Sequence, residues 1–353
     1  MAGTGPASPA GRVRIAVDAL GGDHAPRAIV QGALLALERM PDVAVTLVGD
    51  RARVEPVLKE LGASAGDRLA LVHASQSIEM GENPVAALRA KPDNSISRML
   101  LEVHEGRAEA AFSAGSTGGV VAASTIHLER IRGIKRPGIA IPLPTLKGAC
   151  LVIDVGANIN CKPVHLLHYA QMAAAYARAV LGIAEPRVGI LNIGEEEQKG
   201  TSLIKETAAL LKRSGLKFAG NIEGHAVFHG AADVVVCDGF VGNIVLKTAE
   251  GLADSLFTLV GAAMQEVARK DPATGETLKM VLGKVKARTD YATYGGAPLL
   301  GLEGVVLIGH GRSSPEAVAN AVRTGHEFVA KKVNERIRES VMATRGRGEE
   351  DAA

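Results

Sequence analysis

Short β-rich runs alternate with helical stretches along the whole of this chain, and most of the runs end in a loop of glycine and polar residues. The runs are 14–17, 43–48, 69–72, 108–112, 149–155, 188–191, 233–237 and 304–308. Between them, apolar spacing predicts helices over 28–39, 51–61, 95–105, 164–181, 202–213, 243–269 and 315–340, with another beginning near Val120. Parallel neighbours need long crossovers, so this alternation predicts an α/β protein: three layers, α/β/α, around a mostly parallel sheet. In such sheets ligands bind beyond the C-terminal ends of the strands. Six loops stand at those ends: 18–24, 113–119, 154–158, 192–200, 238–243 and 309–311. They are expected to converge on one edge and share a cleft.

The loop Ser113-Ala114-Gly115-Ser116-Thr117-Gly118-Gly119 says most about the ligand. A strand, then small and hydroxyl residues, then a helix start, makes an anion site, because backbone N–H groups approach closely and the helix N-terminus is partly positive. It is not a dinucleotide fingerprint, since no G-x-G-x-x-G follows the first strand, nor a Walker A loop; in the tempting run 194–201, Lys199 precedes Gly200, the wrong order. Lys199 is either a solvated helix-start residue or a cation held at the cleft. Asn243 and Asn158 either cap local backbone or donate to an oxyanion. His24 and His310 each stand in a loop where an imidazole orients an anion or moves a proton. Cys237 reads as a small buried residue rather than a nucleophile, and no G-x-S-x-G elbow is present.

Composition narrows the ligand further. Net charge is +2 and aromatics are 3%, with no Trp, which argues against nucleic acid and against stacking on bases. The three cysteines fit no zinc pattern and read as reduced thiols of a cytoplasmic protein. No linker divides the chain, so residues 12–340 are expected to form one domain. Residues 1–11 and 341–353 read as disordered tails, and 243–289 as a projecting helical hairpin with the turn at 271–275. Its apolar face, Leu252, Leu256, Phe257, Leu259 and Val260, suits a dimer or membrane-surface contact. Basic runs stand at Arg130, Arg132, Lys135 and Arg136, and at Lys279, Lys284, Lys286 and Arg288.

Taken in order, the stretches 17–26, 113–118, 154–158, 192–200, 221–224, 237–243 and 294–301 resemble the acyl-ACP:phosphate acyltransferases of bacterial phospholipid synthesis, the fatty acyl phosphate synthase family. Leu20 stands where that family has Met, and Ser116 where it has Asn. The resemblance implies a fold like that of phosphotransacetylases and of isocitrate and isopropylmalate dehydrogenases. It implies acyl carrier protein and inorganic phosphate as substrates, no cofactor and no metal. It also implies a homodimer able to touch the membrane peripherally, and a membrane glycerol-3-phosphate acyltransferase that consumes the acyl phosphate. Lys199 and Asn243 match the family positions connected with catalysis, with His24 as a helper. The phosphate loops are then Asp18, Gly21 and Gly22; Ser113, Gly115, Ser116, Thr117 and Gly118; and Asn158. A phosphotransacetylase of short acyl-CoA and a non-catalytic membrane-surface scaffold are the competing expectations.

Overall fold

The computed structural model describes residues 11–289 and 295–348. The expected tail segments 1–10 and 349–353, and Tyr294 of the last resembling stretch, lie outside the described residues. In chain order the elements are β1 (Val13–Asp18), α1 (Arg27–Arg39), β2 (Val43–Gly49), α2 (Arg51–Glu60), β3 (Leu69–His73), α3 (Pro84–Ala90), α4 (Ser95–His104), β4 (Ala110–Ser113), α5 (Thr117–His127), β5 (Gly138–Thr145), β6 (Gly148–Ile153) and α6 (Pro163–Ala179). There follow β7 (Arg187–Asn192), α7 (Ser202–Arg213), β8 (Lys217–Glu223), α8 (Gly224–Phe228), β9 (Val234–Val236), α9 (Gly239–Lys270), α10 (Pro272–Thr289), β10 (Ala297–Leu300), β11 (Val305–Ile308), α11 (Pro315–Ala330) and α12 (Val333–Gly348).

The strands form one sheet in the order β3-β2-β1-β4-β11-β10-β5-β6-β9-β7-β8. Helices cover both faces, which is why β2 is buried along its whole length. On β1, Ile15 and Val17 join the core beneath α1, α6, α11 and α12, while Ala16 joins the core beneath α4 and α5. The pleat sends alternate side chains to opposite faces. Tyr176 of α6 and Phe328 of α11 meet with ring centroids 5.9 Å apart and stitch the first of these cores together.

The sheet is parallel except around its centre. β10 runs antiparallel to β11 and to β5, and β5 runs antiparallel to β6. The two outer groups, β3-β2-β1-β4-β11 and β6-β9-β7-β8, therefore point in opposite directions. Register makes them meet rather than diverge. Ile308, the last residue of β11, pairs with Ala297, Leu299 pairs with Ile139, and Ala140 pairs with Ile153, the last residue of β6. The C-terminal ends of β11 and β6 thus reach about the same level across the sheet, and loops from both groups face one space.

Several elements differ from expectation. β5, β8 and β10 were not predicted, because Pro142, Pro144 and Pro298 interrupt the strand pattern of two and Gly220 shifts the register of the third. The expected helix over 315–340 is two helices, broken where Lys332 takes a left-handed conformation (φ 52°). The second of them continues to Gly348, past the expected tail boundary at 341, because Ile337 and Val341 bury one face of it against the core. α9 begins at Gly239 rather than at Asn243.

Phe328→Ala removes a buried ring from the α6–α11 seam. A loss of about 3–5 kcal/mol is expected, read as a lower urea midpoint with an unchanged slope. A loss under about 1 kcal/mol, small for a buried ring, would show that this seam does not hold the outer layer.

Candidate active site

A cavity of about 730 Å³ lies where the two groups of strands meet. Five of the six glycine loops reach its wall: Asp23 after β1, Gly115, Thr117 and Gly118 after β4, Val155 and Gly156 after β6, Asn243 at the start of α9, and Gly309 to Ser314 after β11. Ile139, Ile141 and Pro142 of the unpredicted β5, with Val155, Leu246 and Ile308, make an apolar floor. The cavity is therefore apolar below and polar at the rim.

Two buried carboxylates shape the loops. Asp18 is 1% exposed; its Oδ2 accepts from Ser113 Oγ at 2.7 Å, and Ser113 Oγ in turn accepts from Gly115 N–H at 3.0 Å. Burial raises the Asp18 pKa, while the bonds from Ser113, Ser95 and the Leu20 and Gly21 backbone oppose the rise. Gly22 seats this loop against the one after β11. Its φ is +104°, and a Cβ there would stand 2.9 Å from the Gly311 carbonyl oxygen. Asp154 plays the same part on the other side. Its carboxylate accepts from the backbone N–H groups of Ile139, Gly156, Ala157 and Asn158, and from Asn158 Nδ2. Burial raises its pKa as well, against those bonds.

The first turn of α9 docks on this braced loop. Gly242 lies so close that a Cβ would fall 1.9 Å from the Asp154 carbonyl oxygen. Asp238, not Asn243, caps the helix, accepting from Phe240 and Val241 N–H at 3.0 Å. The Asn243 amide is thereby left for the cleft, with its atoms 3.8 Å from the Cβ position of Gly156. From Asn243, the residues Leu246, Lys247, Glu250 and Asp254 follow at helical spacing and line the same cavity. That spacing was present in the sequence and marks the face that sequence reasoning missed.

The other expected site residues fall in different places. Gly115, Thr117 and Gly118 line the cavity and Gly21 is packed beneath them, where a Cβ would meet Asp18 and Gly115. Ser116 Oγ caps α5, accepting from Gly119 N–H at 3.3 Å. Asn158 is buried, with Nδ2 donating to the Pro137 carbonyl at 2.7 Å. His24 is exposed and is not among the lining residues. Lys199 is also exposed, on the loop after β7, whose residues do not line the cavity. Cys237 is 2% exposed, and burial pushes its thiol well above the ordinary value, which makes it inert as a nucleophile.

His310 does line the cavity. The Arg312 backbone N–H donates to its Nδ1 at 3.2 Å, so the neutral ring carries its proton on Nε2. Burial lowers its pKa most, Lys247 and Arg312 lower it further, and Glu250 and Asp23 push it the other way.

A sequence profile described as "Fatty acid synthesis protein" matches residues 13–336. The chain is 48% identical over 331 residues to a phosphate acyltransferase of Desulfitobacterium hafniense, covering 93% of this chain and 98% of that protein. It is equally similar, with the same coverage, to a phosphate acyltransferase of Heliobacterium modesticaldum. Among solved structures, the fold resembles a phosphotransacetylase from Streptococcus pyogenes, with a TM-score of 0.61 at 17% identity, covering 90% of this chain and 94% of that one. A branched-chain phosphotransacylase from Enterococcus faecalis gives 0.56 at 16%, with 90% and 99% covered.

The imidazole of His310 is expected to titrate below the ordinary histidine value of about 6.5, and so to be neutral at pH 7. NMR titration of the ring, assigned by its loss in His310→Gln, measures this directly. A midpoint at or above the ordinary value would contradict the electrostatics of the cleft.

Proposed function

This chain belongs to the phosphate acyltransferases, the fatty acid synthesis protein family, and we propose that its cleft is where inorganic phosphate attacks the thioester of an acyl carrier protein. One observation carries this placement: the α5 turn at Gly115, Thr117 and Gly118 and the Asn243 amide line the same cavity, above an apolar floor. The polar rim suits the reacting groups and the floor suits an acyl chain.

The chemistry needs little acid–base help. Phosphate near neutral pH already presents an anionic oxygen. That oxygen bonds to the thioester carbonyl carbon, and the carbonyl oxygen becomes an oxyanion that the Asn243 amide meets. Collapse breaks the carbon–sulfur bond and expels the carrier thiolate, which then takes a proton from solvent. A thiol pKa of about 8.5 makes this a tolerable leaving group. The products are acyl phosphate and the free carrier thiol. What the protein supplies is position and charge. Backbone N–H groups at the α5 start hold phosphate, while Asp18, Ser113, Ser116 and Asn158 position the loops. Lys199 rides the loop after β7, a strand that pairs with β9 just before α9. The nearby carboxylates Glu197 and Glu223 pair with Lys212 and His225, and we assign Lys199 to the charge of the incoming carrier-bound substrate. His24 keeps only an outer role at the rim beside Asp23.

The chain from residue 12 through α12 acts as one catalytic unit: the cleft draws on residues from Asp23 to Ala317, and α12 packs on the same core through Ile337 and Val341. The exposed residues Leu252, Leu256, Leu259 and Val260 of α9, with Met280 and Val281 of α10, support a homodimer or peripheral membrane contact for a cytoplasmic enzyme. No described helix is long and apolar enough to cross a membrane. Arg130 and Arg132 line a second cavity of about 670 Å³ and suit an acidic carrier. A membrane glycerol-3-phosphate acyltransferase is the expected consumer of the product.

With long-chain acyl carrier thioester, phosphate should drive release of carrier thiol far better than with acetyl-CoA. Asn243→Ala should lower kcat by about 10²-fold, the usual cost of an oxyanion donor, and Lys199→Ala should lose most turnover while remaining folded. Near-normal kcat in either variant would remove that residue from the mechanism.

A further inference from the structure

An inorganic phosphate carries more negative charge than the groups assigned so far can meet. Asn243 is neutral, and the N-terminus of α5 supplies only about half a positive charge. The hydroxyls of Ser113 and Ser116 are committed to Asp18 and to the helix cap. Lys199 does not line the cavity. Two other cations do: Lys247, one turn beyond Asn243 on α9, and Arg312, on the loop after β11. They come from separate elements, yet both act on the titration of His310, so the three groups share one region of the cleft. That region adjoins the anion turn. Asp23 N–H donates to the Gly311 carbonyl at 2.8 Å, and a Cβ at Gly22 would touch both Gly311 and Ala114.

We propose that Lys247, Arg312 and the Nε2–H of His310 form the subsite that holds inorganic phosphate for attack. The assignment rests on the phosphate acyltransferase function above and gives that function its charge partners. Lys247 is held by Glu250, with Nζ 2.8 Å from Oε2, which restrains the ammonium on the cleft side of α9. Arg312 offers a planar fork of donors matched to phosphate oxygens. His310, kept neutral with its proton on Nε2, donates without adding a charge that would weaken the nucleophile. Glu250 and Asp23 limit the net positive charge of the site, so that the acyl phosphate product is not held too tightly to leave.

The same cations would also suit the phosphodiester of the carrier's prosthetic arm, and the experiment separates the two. Initial rates are measured for the full-length protein with phosphate and acyl carrier thioester varied independently, for wild type, Arg312→Gln, Lys247→Met and His310→Gln. Losing a charge-assisted hydrogen bond should raise the KM for phosphate by about ten- to a hundredfold in the first two variants, with the KM for the thioester unchanged. His310→Gln, which keeps an N–H donor, should lie between them and wild type. Phosphate should also raise the Tm of wild type but not of Arg312→Gln. An unchanged phosphate KM, or a rise confined to the thioester KM, overturns the subsite. A wild-type protein with no phosphate-dependent thiol release overturns the underlying function instead.

Discussion

Everything about this site depends on one constraint, the reversal of strand direction at β10, β5 and β6. A parallel sheet places all of its strand C-termini on one edge, and a cleft there has one working wall. Here the second group of strands points back toward the first, and the register of Ala140 with Ile153 and of Ala297 with Ile308 brings both sets of C-termini to a common level. Loops from the two groups can therefore face each other. One side brings the α5 turn and the loop of His310, the other brings Asn243 and the face of α9. The short central strands supply the apolar floor between them.

Two carboxylates turn that topology into fixed positions. Asp154 gathers five N–H donors and Asp18 gathers a serine hydroxyl and local backbone. Removing either would leave several buried donors unmet, at roughly 1–3 kcal/mol each. Neither carboxylate reaches the cavity. Their work is to hold loops in place, and it reaches the chemistry through contacts such as Gly242 on the Asp154 carbonyl. The rim of the cleft is consequently built from backbone N–H groups and a few exposed side chains standing on a buried, hydrogen-bonded frame.

Much of this was legible in the sequence. Glycine loops at strand ends announced the cleft, and five of the six reach it. Gly115, Thr117, Gly118 and Asn243, singled out because their residue types are unusual where they stand, do line that cavity. Other parts were hidden for physical reasons. Pro142 and Pro298 disguised β5 and β10, and with them the reversal of direction. Ser113, Ser116 and Asn158 looked like ligand donors, since a hydroxyl or amide that braces a loop has the same sequence signature as one that holds an anion. Lys247 carries no such mark, since a lysine on a long helix usually faces solvent; only its spacing of four from Asn243 sets it on the same face. Lys199 shows the converse: a residue marked by family pattern whose loop stands outside the cavity wall.

The proposed mechanism has phosphate itself attack the acyl carbon in this cleft. It is tested most directly by supplying ¹⁸O-labelled phosphate with acyl carrier thioester and analysing the products by mass spectrometry. Direct attack predicts acyl phosphate that retains every labelled oxygen, one of them bridging to the acyl carbon, together with free carrier thiol. Free fatty acid carrying solvent oxygen, with the labelled phosphate left unconsumed, would contradict it.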